Sequence, residues 1–155
     1  MKLAEKAYMA GIIDGEGCVY VNRRKPTGRR VTPGYSVKVT VTTTDKCLVD
    51  WMIEKAGLRS VFHSKNLPGN RRQKWSCTWN SHHADKLLRQ LRKFLVIKTK
   101  QADIGIKLCK HLRGSKNRAG GIGKSVLSKD VEFREKLKQE IAVLNKRGRL
   151  YGKMS

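Results

Sequence analysis

The sequence predicts an α+β domain in which an opening helix is followed by two β-hairpins, each with a helix after it. Apolar residues recur at steps of three and four in some segments, as in helices, and alternate with polar residues in others, as in strands. The strings Asp45-Lys46-Cys47-Leu48 and Asp85-Lys86-Leu87-Leu88 lie at matching places in two similar segments, which indicates an internal ββα duplication. A chain of 155 residues, 39% of them hydrophobic, is long enough for one core.

The first half of the chain contains the opening helix and the first ββα unit. Residues 3–14 predict a helix, because apolar and small residues recur there at steps of three and four. Residues 18–24 and 35–43 alternate between apolar and polar positions, with proline- and glycine-rich turns between them, and predict a hairpin. Residues 45–56 predict a helix that stops at Gly57.

The second unit repeats this order. Residues 59–65 and 72–79 predict a hairpin across a proline-glycine turn, and residues 81–94 predict the helix that follows it. A further helix is predicted over residues 99–112, where apolar side chains recur on one side.

The chain divides into a core domain and a C-terminal part. We assign residues 1–112 to the core domain and residues 113–128, which are rich in glycine, serine and lysine, to a basic linker. Residues 129–147 predict a last helix, and we expect residues 129–155 to pack on the same domain as a helix and a tail.

The charge of the chain indicates a polyanionic partner. The chain has 35 lysines and arginines and 12 acidic residues, which gives a net charge of +23. Nucleic acid is the usual partner of such a chain. A charge that serves solubility, or an anionic membrane surface, is the alternative. However, no acid lies between Gly17 and Thr44 or between Lys55 and Ala84, the two stretches that hold the predicted hairpins. Sheets without carboxylates suit phosphates, and this favours nucleic acid.

Polar side chains follow one face of the predicted strands, opposite the apolar face. Their mixture of donors and acceptors suits base edges in a major groove, which admits a two-stranded ribbon; an ordinary solvent-exposed sheet face is the alternative. The residues that we expect to contact nucleic acid, on this face or beside it, are Tyr20, Asn22, Arg24, Arg29, Arg30, Ser36, Lys38, Thr40, Thr42, His63, Lys65, Arg71, Arg72, Lys74, Ser76, Thr78 and Lys100.

Small residues line one face of the opening helix. Ala7, Gly11 and Gly15 are spaced four apart, and this spacing lets two helix backbones approach closely. Glycine costs a helix about 1 kcal/mol relative to alanine, so the glycines need a packing reason. The chain contains no second helix of this kind. We therefore predict a two-fold homodimer whose interface includes this face with Tyr8 and Ile12.

Two acids lie where this helix ends. A carboxylate near the negative end of a helix dipole is unfavourable, and a bound divalent cation would reverse that penalty at Asp14 or Glu16. Mg²⁺ is usually held by one or two carboxylates together with water. The alternative is that both acids are solvated loop residues.

Several other classes are disfavoured. The four cysteines lie far apart with no C-x-x-C pair, so a zinc site is not expected. The first residues do not form a signal peptide, and no apolar stretch is long enough for a membrane span. We expect no membrane partner, no secretion and an intracellular setting, which could be the cytoplasm, the nucleoid or an organelle.

The string Met9-Ala10-Gly11-Ile12-Ile13-Asp14-Gly15-Glu16-Gly17 resembles the LAGLIDADG motif of homing endonucleases. Segment 91–102 is similar to the segment that follows the second hairpin in single-motif, homodimeric members. The resemblance implies the αββαββα fold, with a saddle-shaped sheet and C-terminal helices. It also implies Mg²⁺-dependent, site-specific cleavage of both strands of a long pseudo-palindromic DNA duplex, with Mn²⁺ as a substitute cation.

The resemblance also assigns roles to residues. Glu16, with the carbonyl of Gly15, would hold the cation; most members of the family have aspartate at this position. Lys98 matches a basic residue beside the scissile phosphate, and Lys46 lies near the position of another. Some members have glutamine near the end of the second strand, where this chain has Thr43, preceded by Thr42, and the alignment there is ambiguous. Asp14 would have a structural role.

Two other functions are compatible with the same fold. One is an RNA-splicing maturase, for which RNA would be the partner, and the other is a DNA-binding protein without catalysis. The presence of both Glu16 and Lys98 favours the nuclease. Without a self-splicing domain in the chain, we expect a free-standing, intron-encoded enzyme.

Overall fold

The predicted order of helices and strands is confirmed. A computed structural model describes residues 1–27, 32–56, 61–65, 73–116 and 127–146. The elements in these residues are α1 (Leu3–Glu16), β1 (Gly17–Arg24), β2 (Gly34–Thr43), α2 (Lys46–Ala56), β3 (Val61–Lys65), β4 (Lys74–Asn80), α3 (His82–Leu91), α4 (Thr99–Lys116) and α5 (Ser128–Leu144). This is the α+β architecture expected from the sequence, with α4 and α5 after the second ββα unit.

The sheet has four antiparallel strands in the order β1-β2-β4-β3. The second strand of each hairpin lies at the centre, so the two hairpins meet through β2 and β4. β1 pairs with β2 along its whole length, from Gly17 opposite Val41 to Arg24 opposite Gly34. Because cross-strand partners share a face, this register determines which side chains line each side of the sheet.

The core lies between one face of the sheet and the helices. The apolar residues of the strands alternate with polar ones, so they all point to the same side. The fully buried residues of this face are Val19, Val37, Val39, Val41, Cys77 and Trp79. Helices α1 to α4 cover them with buried apolar side chains that include Met9, Ile13, Met52, Leu88 and Leu108. We call these four helices the helical layer; the opposite side of the sheet is its polar face.

Helix α5 lies against the edge strand β1 and against α4. Its apolar residues Leu137 and Ile141 are buried in the core. Just after the helix, the Asn145 side chain donates a hydrogen bond from Nδ2 to the carbonyl oxygen of Val19, at 2.8 Å. The C-terminal segment is therefore attached to the rest of the fold by both apolar and polar contacts.

Some boundaries differ from the sequence prediction. α3 ends at Leu91 instead of residue 94. The chain turns there, and the carbonyl oxygen of Leu91 accepts the N–H groups of both Phe94 and Leu95. α4 continues to Lys116, four residues into the predicted linker, and Arg113 in this part forms an ion pair with Asp85. No helix in the described part of the chain is long and apolar enough to cross a membrane.

α1 passes directly into β1 without a loop. The helix ends at Glu16, two residues later than predicted, and Gly17 begins the strand while its N–H bonds to the carbonyl of Ile13. A Cβ atom at Gly17 would lie 2.6 Å from that carbonyl oxygen and 2.8 Å from the Cα of Ile13. Only glycine fits this junction without a shift of the backbone, and the junction places Glu16 at the end of the sheet.

Candidate functional site

The polar face of the sheet carries most of the side chains expected to contact nucleic acid. Tyr20 lies opposite Lys38, and Asn22 lies opposite Ser36. Ser36 is buried, whereas the other three are partly exposed. Arg24 is exposed where β1 ends. The polar face at β1 and β2 thus offers several donors and one aromatic ring.

The same face continues onto β4. Thr40 lies opposite Thr78, and their hydroxyl groups are 2.9 Å apart in a hydrogen bond. Thr42 lies opposite Ser76, and Lys74 begins β4. The β-ladder places the backbone of His63 opposite Ser76. The pairing therefore joins the two hairpins into one continuous polar surface.

Backbone pairing places Lys65 opposite Lys74, at the start of β4, and Lys100 is exposed in the first turn of α4. Arg29, Arg30, Arg71 and Arg72 lie outside the described residues.

Glu16 and the end of β2 lie at one end of the sheet. Glu16 is exposed and immediately precedes Gly17, which pairs with Val41. The next residues of β2, Thr42 and Thr43, therefore lie at the same end as Glu16. The hydroxyl oxygen of Thr43 accepts the N–H of Asp45 at 3.2 Å, so this side chain also supports the turn into α2.

Lys98 is held at the end of α1 by Asp14. The buried Asp14 carboxylate accepts the N–H of Val96 at 2.7 Å and the N–H of Lys98 at 2.8 Å. In return, the Nζ of Lys98 donates to the carbonyl oxygen of Asp14, and Lys98 is only 4% exposed. An ammonium group at this point complements the negative end of the helix dipole. The structural role expected for Asp14 is thus to fix the segment that contains Lys98, two residues from Glu16.

Lys46 lies near the same end of the sheet but is engaged by its own neighbours. Its Nζ is 2.5 Å from a carboxylate oxygen of Asp50 and 5.7 Å from the centre of the Trp75 ring. Trp75 is the cross-strand partner of Thr43, which places Lys46 beside the end of β2. The charge of Lys46 is thus already paired with Asp50.

The small-residue face of α1 is uncovered. Ala7, Gly11 and Gly15 are exposed, and a Cβ atom at either glycine would meet nothing within 4 Å. Tyr8 is exposed beside them and packs edge-on against Trp51, with ring centres 5.0 Å apart. No side chain in the described residues would lie within 4 Å of a Cβ atom at either glycine, so the packing reason that the two glycines require is not found there.

Two more exposed apolar residues lie beside this helix. Val96 is 83% exposed and Ile97 is 70% exposed, and the N–H of Val96 bonds to Asp14 of α1. We define the α1 surface as Ala7, Tyr8, Gly11 and Gly15 of the helix, together with Val96 and Ile97. Ile12, also expected at the interface, is partly buried against the core.

The donor atoms at the end of α1 fit a small divalent cation. Glu16 presents an exposed carboxylate, and Gly15 adds a backbone carbonyl at the same helix terminus. Asp14 is buried and each of its carboxylate oxygens already accepts an N–H, so Glu16 is the exposed acid at this end of the helix. In the described ranges no three residues of the types His, Cys, Asp and Glu cluster around a point that could hold a metal. Mg²⁺ keeps several waters and needs only one or two carboxylates, so the oxygen donors here suit it.

Solved structures similar to this chain include homing endonucleases. The homing endonuclease I-CvuI, in complex with its target and Ca, has 15% identity and a TM-score of 0.72, with 96% of this chain and 88% of that chain covered. The archaeal intron-encoded homing endonuclease I-Vdi141I, complexed with DNA, has 16% identity and a TM-score of 0.70, with 98% and 89% covered. The LAGLIDADG homing endonuclease I-SmaMI, bound to cleaved DNA, has 18% identity and a TM-score of 0.67, with 88% and 43% covered.

These similarities show that the chain has the LAGLIDADG homing-endonuclease fold. No protein-family profile matches the sequence, and no curated protein matches it.

Proposed function

We propose that the chain is a homodimeric LAGLIDADG homing endonuclease that hydrolyses one phosphodiester bond in each strand of a long, pseudo-palindromic DNA duplex. The observation that carries this proposal is the position of Glu16. It ends the helix that bears the α1 surface and immediately precedes the first strand of the polar face. An acid at this junction lies both at the expected dimer axis and at the edge of the expected DNA surface.

The α1 surface supports the dimer. Small residues in the middle of a helix allow a second copy of the same helix to approach closely, and a two-fold axis makes the two surfaces self-complementary. Val96 and Ile97 would extend the contact, because both are exposed beside the helix. Burial of apolar surface contributes roughly 25 cal/mol per Å² to the free energy of association, so burial of these side chains would stabilise the dimer. In such a dimer the two Glu16 carboxylates approach each other near the axis.

The polar face supports duplex DNA as the partner. Its described side chains carry hydroxyl groups, amides, amines, the Arg24 guanidinium, the Cys18 thiol and one tyrosine ring, and the sequence of both hairpins lacks acids. Two sheets related by the dimer axis would follow a duplex in both directions. This geometry matches a target with approximate two-fold symmetry. The natural setting that we propose is intracellular, with the enzyme encoded within an intron.

The residues at the end of α1 support hydrolysis. Glu16 and the Gly15 carbonyl would hold Mg²⁺, and the cation would supply positive charge that stabilises the phosphodiester during hydrolysis. Lys98 would stabilise the negative charge that grows on the phosphate in the transition state. Asp14 fixes the backbone of Lys98, and its carbonyl oxygen holds the ammonium group at the end of α1, where it would act.

The cleavage test uses DNA that spans the intron-less form of the site where the gene resides. We expect the wild-type dimer to cut both strands only with Mg²⁺ or Mn²⁺. Glu16→Gln should lower cleavage by at least about 100-fold and leave DNA binding intact. Glu140→Gln removes the same charge from an exposed position of α5 and serves as the matched control.

Two outcomes would contradict the proposal. If the wild-type dimer binds this DNA and does not cut it with either cation, the chain is a DNA-binding protein without catalysis, and rescue of intron splicing would identify a maturase. If Glu16→Gln cuts at the wild-type rate, Glu16 has no part in the reaction.

The dimer is tested separately by a substitution on the α1 surface. Gly11→Leu should leave the monomer folded, because a side chain at Gly11 meets open space, and should convert the dimer into a monomer in light scattering. Ala142→Leu, at an exposed position of α5, is the control. A dimer that persists in Gly11→Leu would place the interface elsewhere.

A further inference from the structure

Two arginines share one buried carboxylate on the helical layer. Arg89 of α3 donates from Nε to both oxygens of Asp85, at 3.0 and 3.1 Å, and Arg113 of α4 donates from Nη1 to the same carboxylate at 2.5 Å. The Asp85 side chain is 5% exposed, while those of Arg89 and Arg113 are 46% and 51% exposed. The carboxylate thus holds two guanidinium groups at the surface in fixed positions.

One arginine would be enough to neutralise Asp85 and join the helices. The other end of the same helix pair shows this arrangement, where Arg92 forms a two-point ion pair with Asp103, at 2.5 and 2.8 Å. At Asp85 a second arginine is added, so the cluster carries a surplus positive charge. Guanidinium has five N–H donors, and these contacts use Nε of Arg89 and Nη1 of Arg113. Both side chains keep further donors on their exposed sides.

The surroundings of this cluster are basic. Lys86 precedes Arg89 by three residues and Lys110 precedes Arg113 by three residues, so each lysine shares a helix face with its arginine. Both lysines are exposed. The acids in the described residues of α3 and α4 are Asp85 and Asp103, and arginines already occupy both. An anion that approaches the two arginines meets no unpaired carboxylate from these helices.

This cluster is separated from the polar face by the core. α4 packs closely on the apolar face of the sheet, since a Cβ atom at Gly105 would lie 3.2 Å from a side-chain atom of Val37 and 3.0 Å from one of Leu88. The exposed faces of α3 and α4 point away from that contact. A duplex bound on the polar face therefore leaves the two arginines accessible.

We propose that Arg89 and Arg113, held by Asp85, form a second phosphate-binding site that takes the backbone of a nucleic acid other than the segment bound on the sheet. Paired guanidinium groups match the geometry of phosphate oxygens, and each exposed fork can donate two parallel hydrogen bonds. Lys86 and Lys110 would contact adjacent phosphates of the same strand. The phosphodiester backbone could belong to an RNA or to a distant segment of DNA.

The test is a titration of the full-length protein with labelled nucleic acid at low salt. One arm uses a duplex DNA of arbitrary sequence, and the other uses an RNA hairpin. We expect a first, tight phase from the polar face and a second, weaker phase from the helical layer. Arg113→Gln and Arg89→Gln, each of which leaves Asp85 one arginine partner, should weaken the second phase by about tenfold or more and leave the first unchanged.

The matched control is the double substitution Lys129→Gln and Lys136→Gln, which removes two exposed charges from α5. It should leave the second phase unchanged. A second phase weakened by the arginine variants in the RNA arm alone identifies RNA as the source of the phosphate. Weakening in the DNA arm alone identifies a DNA segment.

The proposal is overturned if the wild-type protein shows only one phase with both probes. It is also overturned if the second phase survives unchanged in both arginine variants, with unfolding curves that show them to be folded. Target cleavage by Arg113→Gln should equal that of the wild type, so this result does not depend on the catalytic role of Glu16.

Discussion

Asp14 and Lys98 hold each other by two different groups. The side chain of Asp14 binds the backbone N–H of Lys98, and the side chain of Lys98 binds the backbone carbonyl of Asp14. This reciprocal contact joins the end of α1 to the start of α4. The basic group proposed for the reaction is therefore positioned by the same helix that positions Glu16.

Asp14→Asn should uncouple Lys98 from α1. An amide has one oxygen where the carboxylate has two, so one of the N–H groups of Val96 and Lys98 loses its acceptor. A buried N–H without a partner costs about 1–3 kcal/mol. We expect the free energy of unfolding to fall by that amount, and cleavage to fall with little change in DNA affinity.

The control for Asp14→Asn is Glu5→Gln, since Glu5 accepts the backbone N–H of Lys2 at 2.7 Å at the opposite end of α1. Denaturant unfolding and cleavage rates are compared for both variants. Equal cleavage by Asp14→Asn and the wild type would show that the contact is structural only.

Gly17→Ala should destabilise the fold at the helix-strand junction. Its Cβ atom would contact backbone atoms of Ile13 at 2.6 and 2.8 Å, and overpacking of this kind costs about 1–3 kcal/mol. Gly34→Ala is the matched control, because its Cβ atom would lie 3.8 Å from the nearest neighbour, in Arg24. Urea unfolding should show a lower midpoint for Gly17→Ala alone, and an equal loss in both variants would contradict the tight junction.

The four cysteines should divide into two reactive and two unreactive thiols. Burial raises the pKa of the Cys77 and Cys109 thiols to about 12, so they stay protonated at neutral pH. Cys18 and Cys47 are exposed. Alkylation followed by mass spectrometry should label Cys18 and Cys47 in the native protein and all four cysteines after unfolding. Rapid native labelling of Cys77 would contradict the observed core.

Bound DNA should protect Cys18 from alkylation. Cys18 lies opposite Thr40 on the polar face, whereas Cys47 lies in α2 of the helical layer. We therefore expect target DNA to slow the labelling of Cys18 and to leave that of Cys47 unchanged. Unchanged labelling of both thiols in a saturated complex would exclude the β1 end of the polar face as the DNA surface.

Glu135 should make the attachment of α5 sensitive to acid. The hydrogen bond from Lys138 at 2.6 Å lowers the pKa of Glu135 below 4.5, and the hydroxyl of Tyr35 at 2.8 Å adds to this effect. Because the folded pKa lies below the unfolded one, this contribution to stability is present above pH 4.5 and is lost as the pH falls through the folded pKa.

Glu135→Gln removes this pH dependence. Between neutral pH and the acidic range, the free energy of unfolding should fall less in Glu135→Gln than in the wild type. Glu132→Gln, at an exposed position of the same helix, should follow the wild-type curve. Parallel pH profiles for Glu135→Gln and the wild type would refute the role of Glu135.

The sequence predicts the elements whose side-chain spacing is regular. The alternation of Tyr35, Val37 and Val39 with polar residues places β2 within one residue of its observed start. The last turn of α4 could not be predicted, because a segment rich in glycine and serine around Arg113 has the composition of a loop. Its helix is supported by Asp85, which lies 28 residues earlier in the chain.

The candidate site could be predicted in its parts but not in its connections. The motif indicates Glu16, and the similarity of segment 91–102 indicates Lys98. Asp14 links them through hydrogen bonds to Val96 and Lys98, which are 82 and 84 positions later in the chain. Such long-range contacts cannot be predicted from the spacing of nearby residues. The contact of Arg89 and Arg113 with the Asp85 carboxylate could not be predicted from local spacing either, since it depends on how α3 and α4 pack together.

The absence of a loop between α1 and β1 has a mechanical consequence. In the proposed dimer, the crossing angle of the two α1 helices and the distance between their axes would determine the separation of the two Glu16 carboxylates. This follows because no flexible loop lies between the helix and the strand at Gly17. The stagger between the cuts in the two DNA strands would then be fixed by protein packing rather than by the DNA. Substitutions that alter helix packing and keep the dimer would change the length of the single-stranded overhang.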